Sequence, residues 1–339
     1  MQEILGPAFA GGYTGIRQHA PSRTVLEAAR AAEAAGADVM VSLGGGSPID
    51  AARACARMLA QETPPSAVPD DRFFEFLSRP MLGEPIPNIS ISTTLSAADF
   101  SAGGGITDEV KRFKFVGYGA PSLTTKVIFL DPEVTLYTPP DLWSASGMRA
   151  VDHAVESLYS RLPHPVTDLL ATRAIELLFT NLPRTADDPS DIEARAQCQL
   201  GCWFSFFSPP SVMLGPSHSL GHQLGSRCDV PHGVTSCIFV PHVIRFLAPT
   251  LAERIVPIAQ AMGVDTRGKS AEESAFAAAD AVTALVKRLG LPTRLRDVGA
   301  PEDDLEPIAS AAFAEGGTQG TARVISGPDE LMGILRQAW

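Results

Sequence analysis

Two domains of different class are predicted for this 339-residue chain, an α/β layer over residues 1–138 and an all-helical half over 139–339. Three observations predict them. Apolar runs of strand length alternate with helical periodicity as far as Thr138, and only helical periodicity continues beyond Pro139. A hydrophobic content of 45% is enough to build a large core.

In chain order, residues 24–35 read as an Ala-rich helix stopped by Gly36, and 38–43 as a short apolar strand running into Gly44-Gly45-Gly46-Ser47. The next helix starts near Pro48 and carries Ile49, Ala52, Cys55 and Leu59 on one face. Residues 61–85 are Pro-rich and polar, a loop with a short helix at 71–77. Strands at 88–94 and 126–130 flank a Gly-rich segment that reads as a hairpin. Strands alternating with helices imply a parallel sheet covered on both faces. The second half reads as helices at 141–160, 165–181, 190–207, 211–225, 233–247, 250–262, 270–289 and 302–313.

Charge and composition exclude several classes. A net charge of −11 without a basic cluster argues against a nucleic-acid partner, which needs a positive field. No run of about eighteen apolar residues points to a membrane span, and the first residues lack a signal-peptide pattern, so a cytoplasmic protein is expected. Five cysteines, at 55, 198, 202, 228 and 237, form no CxxC pair and read as small buried hydrophobes.

Three segments carry chemistry. At Gly44–Ser47 the glycines let the backbone approach a pyrophosphate, and the following helix offers free N–H groups and the positive end of its dipole. Ser47 can cap that helix or donate to a phosphate, with Asp50 completing an arrangement like a capping box. In STTLSAADF, Thr93, Thr94 and Ser96 can hydrogen-bond a nucleotide, and Lys114 can reach a ribose or phosphate. In GPSHSLGHQLGSRCDVPH, His218 and His222 stand one helical turn apart, and His232 follows on a Pro-broken loop before a new helix. His153 lies far upstream in GMRAVDHAVESLY. Histidines gathered this way suit a divalent-metal site or a proton relay, and Cys228 between them is a candidate substitute ligand.

Taken together, these segments resemble the group III, iron-dependent alcohol dehydrogenase superfamily, which includes the maleylacetate reductases. The family's GGGSxxDxxK is here GGGSPIDAAR, and its DPxxTxxxP turn is DPEVTLYTP. Its GMDAxxHAxE helix is GMRAVDHAVE, and its HxxxH followed by PHG is HSLGH and then PHG. The resemblance implies a Rossmann-like dinucleotide-binding domain joined to a helical domain, an architecture like that of dehydroquinate synthase. It also implies hydride exchange between NAD or NADP and a small alcohol or carbonyl compound, and a homodimer. Carried onto this chain, Gly45, Gly46, Ser47 and Asp50 would hold the pyrophosphate region, Thr93, Thr94 and Ser96 the nicotinamide half, and Lys114 the ribose. His153, His218 and His232 match ligands of a divalent metal, iron or zinc, and His222 matches the histidine assigned to proton transfer.

Two departures stand out. The family's fourth ligand is an Asp one turn before the first His, and here that position is Arg149, which cannot ligate. Arg149 is therefore expected to take over the cation's task, stabilising an alkoxide or gripping the carboxylate of a keto acid. The alternatives are a metal-dependent dehydrogenase using the three histidines, or an inactive member acting as a binding protein. A zinc hydrolase is disfavoured because no general-base Glu sits beside the histidines as in HExxH. The second departure is at the start: family members carry roughly fifty further residues there, including the first strand and helix of the dinucleotide fold, whose lack would expose apolar sheet surface.

Overall fold

The computed structural model describes residues 2–111, 113–207 and 213–339. Contacts divide them into two compact units. One runs up to Thr93 and resumes at Ala98–Asp131, while the other comprises Thr94–Ala97 and Pro132–Trp339. The sequence places the change at 138/139, but residues 132–138 group with the helical unit. Arg195 on a later helix donates to the carbonyl and hydroxyl of Thr135 (2.9 and 3.1 Å) and so ties that stretch to the second unit.

In the first unit, after a short helix α1 (Gln2–Leu5), α2 (Ser22–Ala34) precedes strand β1 (Met40–Gly44), and α3 (Gly46–Leu59) follows directly. Helix α4 (Phe73–Leu77) leads to β2 (Asn88–Ser92). The hairpin is β3 (Ile106–Asp108) with β4 (Phe113–Phe115), and β5 (Val127–Phe129) ends the unit. The main sheet is parallel in the order β1-β2-β5, with Val41 opposite Ile89 and Ile89 opposite Val127. Val25, Leu26, Cys55, Met58, Phe73 and Leu77 fill the core beneath α2, α3 and α4.

The two faces of the sheet are unlike. Ser42, Asn88 and Ser90 are buried, and the Ser42 hydroxyl donates to Asn88 Oδ1 at 3.3 Å. On the other face Val41, Leu43, Val127 and Phe129 are exposed, with Ile89 and Ile91 partly covered between them. The expectation of a sheet covered on both faces thus does not hold for the described residues.

The second unit is helical: α5 (Pro140–Leu158), α6 (Pro165–Asp187), α7 (Ile192–Ser205), α8 (Pro216–Cys228), α9 (His232–Ala261), α10 (Ala271–Arg288), α11 (Leu305–Glu315) and α12 (Pro328–Ala338). The helix expected over 211–225 begins at Pro216, and positions 211 and 212 lie outside the described residues. The two helices expected at 233–247 and 250–262 form one span that bends at Leu251 (φ −123°, ψ 19°), because Pro249 cannot continue the hydrogen-bond ladder. His232 is the first residue of that helix, not part of a loop. Among the described helices only α9 is long and apolar enough to cross a membrane, and it packs against α5, α8 and α10 as a core helix. Helix α12 lies beyond the last helix that the sequence periodicity predicts, although Pro328 at its start and Asp329 and Glu330 in its first turn signal one.

Candidate functional site

The glycine turn sits where β1 ends. Gly45 precedes α3 and offers no side-chain cap to the first-turn N–H groups of the helix. The expectation that Ser47 caps this helix is corrected: the helix begins one residue earlier, at Gly46, and Ser47 lies inside it. The Thr93 amide donates to the Gly44 carbonyl at 2.9 Å, which lays the end of the β2 segment beside the glycine turn. Two residues on, the Leu95 amide donates to Ser146 Oγ at 3.0 Å, and Thr94 and Ser96 group with the helical unit.

Asp50 is no helix cap either. Its carboxylate accepts the Gly105 amide at 3.0 Å and pairs with Arg53 at 3.2 Å. Arg53, fully buried, also donates to the carbonyls of Gly103 (2.8 Å) and Ala98 and to Thr125 Oγ1 (3.3 Å). Burial pushes the Asp50 carboxyl up, while the charges of Arg53 and Lys114 pull it down. The Asp99 carboxylate also faces this group and pushes it up, so two cations and two carboxylates meet beside the glycine turn. The glycines of the 103–105 loop are required by close approach. A Cβ on Gly104 would lie 2.4 Å from Asp50 Cγ and 2.5 Å from the Tyr118 hydroxyl, and one on Gly105 would collide with the Lys114 side chain. Gly104→Ala is expected to cost about 1–3 kcal/mol through this overpacking, measured as a lower unfolding midpoint.

In the helical unit the four histidines do come together. The rings of His153 and His218 stack with centroids 4.9 Å apart, His218 and His222 lie 6.4 Å apart, and His222 and His232 5.7 Å. Phe206 packs on His153 at 4.7 Å. Arg149 lies with them, 8% exposed, as the helical spacing from His153 predicts. Its Nη1 donates to Ser236 Oγ at 3.2 Å and stands 3.5 Å from Asp152 Oδ2. Burial drives both His153 and His218 well below the usual imidazole range, and the Arg149 charge adds to it. Cys228 is not among the ligand candidates, since its thiol is directed to Asp304 Oδ2 at 3.8 Å.

Two carboxylates that spacing alone did not single out as a pair support His218. Glu156 Oε2 lies 2.7 Å from His218 Nδ1 and accepts the Gly215 amide at 2.6 Å, while Oε1 accepts the Ser217 amide at 2.8 Å and the Tyr159 hydroxyl at 3.3 Å. Asp152 Oδ2 accepts the hydroxyls of Ser217 (2.9 Å) and Ser236 (2.6 Å). A third, Glu315, bonds His222 Nδ1 at 2.7 Å. Apart from the bond of Tyr159, three residues on from Glu156, these contacts span 59 to 93 residues, beyond the reach of any local pattern.

A small parallel sheet with an uncapped glycine turn, together with a helical unit built around histidines, is the two-part architecture of an oxidoreductase class. The chain belongs to the iron-containing alcohol dehydrogenase family: the family "Iron-containing alcohol dehydrogenase" matches residues 2–132, and "Fe-containing alcohol dehydrogenase family, C-terminal" matches 144–339. It is 34% identical over 328 residues to lactaldehyde reductase of Escherichia coli (strain K12), covering 96% of this chain and 84% of that protein. It is 28% identical over 310 residues to maleylacetate reductase of Rhizobium sp. (strain MTP-10005), covering 91% and 77%. The crystal structure of 1,3-propanediol oxidoreductase superposes with a TM-score of 0.87 at 27% identity, over 96% of this chain and 84% of that one. Membership places the chain among oxidoreductases acting on CH–OH groups.

The family is named for iron, and the residues present do not fit its site of one carboxylate and three imidazoles. The carboxylate corner holds a buried guanidinium. A second grouping, Asp152, Glu156 and His218, has ligand atoms within 4.8 Å of one another, but Glu156 and His218 are bonded to each other and Asp152 Oδ2 is taken by Ser217 and Ser236. His218 Nδ1 is engaged with Glu156, and four donors converge on the Glu156 oxygens. For a dinucleotide the fit is better, since the glycine turn and the uncapped start of α3 suit a pyrophosphate.

Proposed function

We propose that this chain is an NAD(P)-dependent oxidoreductase that reduces a small carbonyl compound to its alcohol, with the Arg149 guanidinium supplying the fixed positive charge beside the reacting oxygen. The observation that carries this reading is the buried guanidinium one helical turn before His153, in the corner where the family places a ligand carboxylate. Gly45, Gly46 and Ser47 would hold the pyrophosphate through backbone N–H groups, with Arg53 and Lys114 neutralising Asp50 nearby. Asp50 would act by pinning the 103–105 loop through Gly105, not by touching phosphate. Thr93, Thr94 and Ser96 would line the nicotinamide half. A reduced dinucleotide, when bound, supplies a hydride to the carbonyl carbon.

Negative charge then gathers on the substrate oxygen. Arg149 is aligned beforehand by Ser236 and Asp152, so it stabilises that charge without reorganising during the step. His222 gives a ring proton to the oxygen and recovers it from water, which completes the alcohol. A guanidinium also binds a carboxylate through two parallel hydrogen bonds, and this favours keto acids over plain aldehydes.

One observation favours metal dependence instead: His218 Nε2 is buried without a hydrogen-bond partner while its Nδ1 is engaged by Glu156, a state ready to ligate. Elemental analysis of purified protein, with an NADH-oxidation screen over aldehydes and keto acids, separates the readings. The expected result is metal well below one ion per chain and chelator-resistant oxidation of NADH, faster with keto acids. One tightly held divalent ion per chain, with activity lost to chelator, would favour the three-histidine site. Failure of folded protein to bind NADH in a fluorescence titration would favour an inactive binding protein.

A further inference from the structure

Glu315 is the last residue of α11, where its charge faces the negative end of the helix dipole, and no basic residue offsets it in that turn. An acidic side chain in so unfavourable a place needs partners elsewhere. Gly316 takes φ +79° and ends the helix in the left-handed region, and the chain then passes close enough to α8 that a Cβ on Gly317 would lie 2.5 Å from Ser219 Oγ. This turn lays Glu315 along α8. Its Oε1 lies 2.7 Å from His222 Nδ1, and its Oε2 accepts Gln223 Nε2 at 2.9 Å. Both carboxylate oxygens are thus committed to adjacent residues of one turn, one of them the histidine assigned to proton transfer. Burial alone would raise the Glu315 carboxyl, but the bonds from His222 and Gln223 outweigh it and hold the group below its usual range. Its charge also reaches Arg149, whose ionised form it supports together with Asp152 and Glu156.

We propose that Glu315 is a positioning residue that fixes the His222 ring, holding the Nδ1 proton on its carboxylate and so turning Nε2 to the substrate oxygen for proton exchange. A carboxylate on Nδ1 selects one of the two orientations of such a ring and one of its tautomers. Gln223 contributes by occupying the second oxygen, which keeps the carboxylate from rotating off the histidine. The inference rests on the reductase reading above, in which His222 delivers the proton.

The test is a double-mutant cycle joined to a spectroscopic measurement. Glu315→Gln is expected to lower kcat about tenfold or more, a share of what a positioned acid contributes, with little change in KM for the carbonyl. Glu315→Asp should recover part of that loss. In a His222→Ala background the Glu315→Gln change should have a much smaller effect on kcat, because its main influence passes through the imidazole. Nitrogen-15 spectra of the histidine rings should show a hydrogen-bonded Nδ1–H on His222 in the unaltered chain and its loss in Glu315→Ala. Equal effects of Glu315→Gln in both backgrounds, or a His222 protonated at Nε2 alone, would overturn the proposal. A chain that binds NADH yet reduces no carbonyl would sink the reductase reading, and the ring-nitrogen spectra would still decide whether Glu315 fixes His222.

Discussion

Arg149→Ala is expected to lose about 10²- to 10³-fold in kcat for carbonyl reduction, the usual cost of removing one preorganised group that faces developing negative charge. NADH affinity should stay nearly unchanged, because the groups assigned to the pyrophosphate are the glycine turn and the start of α3. The opposite substitution has the larger consequence. Arg149→Asp places a carboxylate one turn before His153, beside His218 and His232, and at the same time removes a fixed cation. For a divalent ion at about 5 Å and an effective dielectric near 20, that repulsion is roughly 6 kcal/mol, or about four decades of affinity. Calorimetric titration with Zn²⁺ is therefore expected to show at least about 10³-fold tighter binding to Arg149→Asp than to the unaltered chain. Equal affinities would mean that the guanidinium is not what bars the ion. Full activity of Arg149→Ala on every accepted carbonyl would remove Arg149 from the chemistry altogether.

Much of this site can be read from local patterns, and the parts that cannot share one physical cause. His153, His218 and His222 lie on helix faces fixed by spacing, and the same spacing places Arg149 inward, because a side chain four residues from another shares its face. The glycine turn is legible because only a strand leading into a helix puts N–H groups and small residues together there. By contrast, Glu315 looks like an ordinary helix-surface acid in sequence, and the spacing that turns Glu156 inward with His153 does not say what it meets. Their partners on α8 are set by how α5 and α11 pack on it, information that no window of neighbouring residues holds. Ser47 and Asp50 mislead for a related reason. They have the residue types and spacing of a cap, but the Gly103–Gly105 loop arrives from fifty residues away and takes the Asp50 carboxylate for itself. Likewise, the bend in α9 is legible as a break at Pro249, yet burial against α5 and α10 keeps the helix running through it.

Glu156→Ala is expected to destabilise the helical unit by about 3–5 kcal/mol, seen as a fall in unfolding midpoint on the order of 10 °C. This carboxylate is 0% exposed and does the work that an N-cap residue of α8 would otherwise do. Gly215, in the cap position, has no side chain to offer, so the amides of Gly215 and Ser217 turn instead to Glu156 on α5. The negative charge also lies at the positive end of the α8 dipole, and the remaining capacity of its oxygens is taken by His218 and Tyr159. Burial pushes this carboxyl up, and the two amides pull against that shift. Removing the side chain strands two buried amides and an imidazole at once, each costing about 1–3 kcal/mol if left unsatisfied, offset in part by local rearrangement. Glu156→Gln keeps the volume and one acceptor oxygen but turns an NH₂ toward donors, so an intermediate loss is expected. Because His218 is held through the same carboxylate, both variants should also lower kcat even where they remain folded. A midpoint shift under about 2 °C for Glu156→Ala would show that α8 does not depend on this cap, and that the close contacts around Glu156 contribute little net stability.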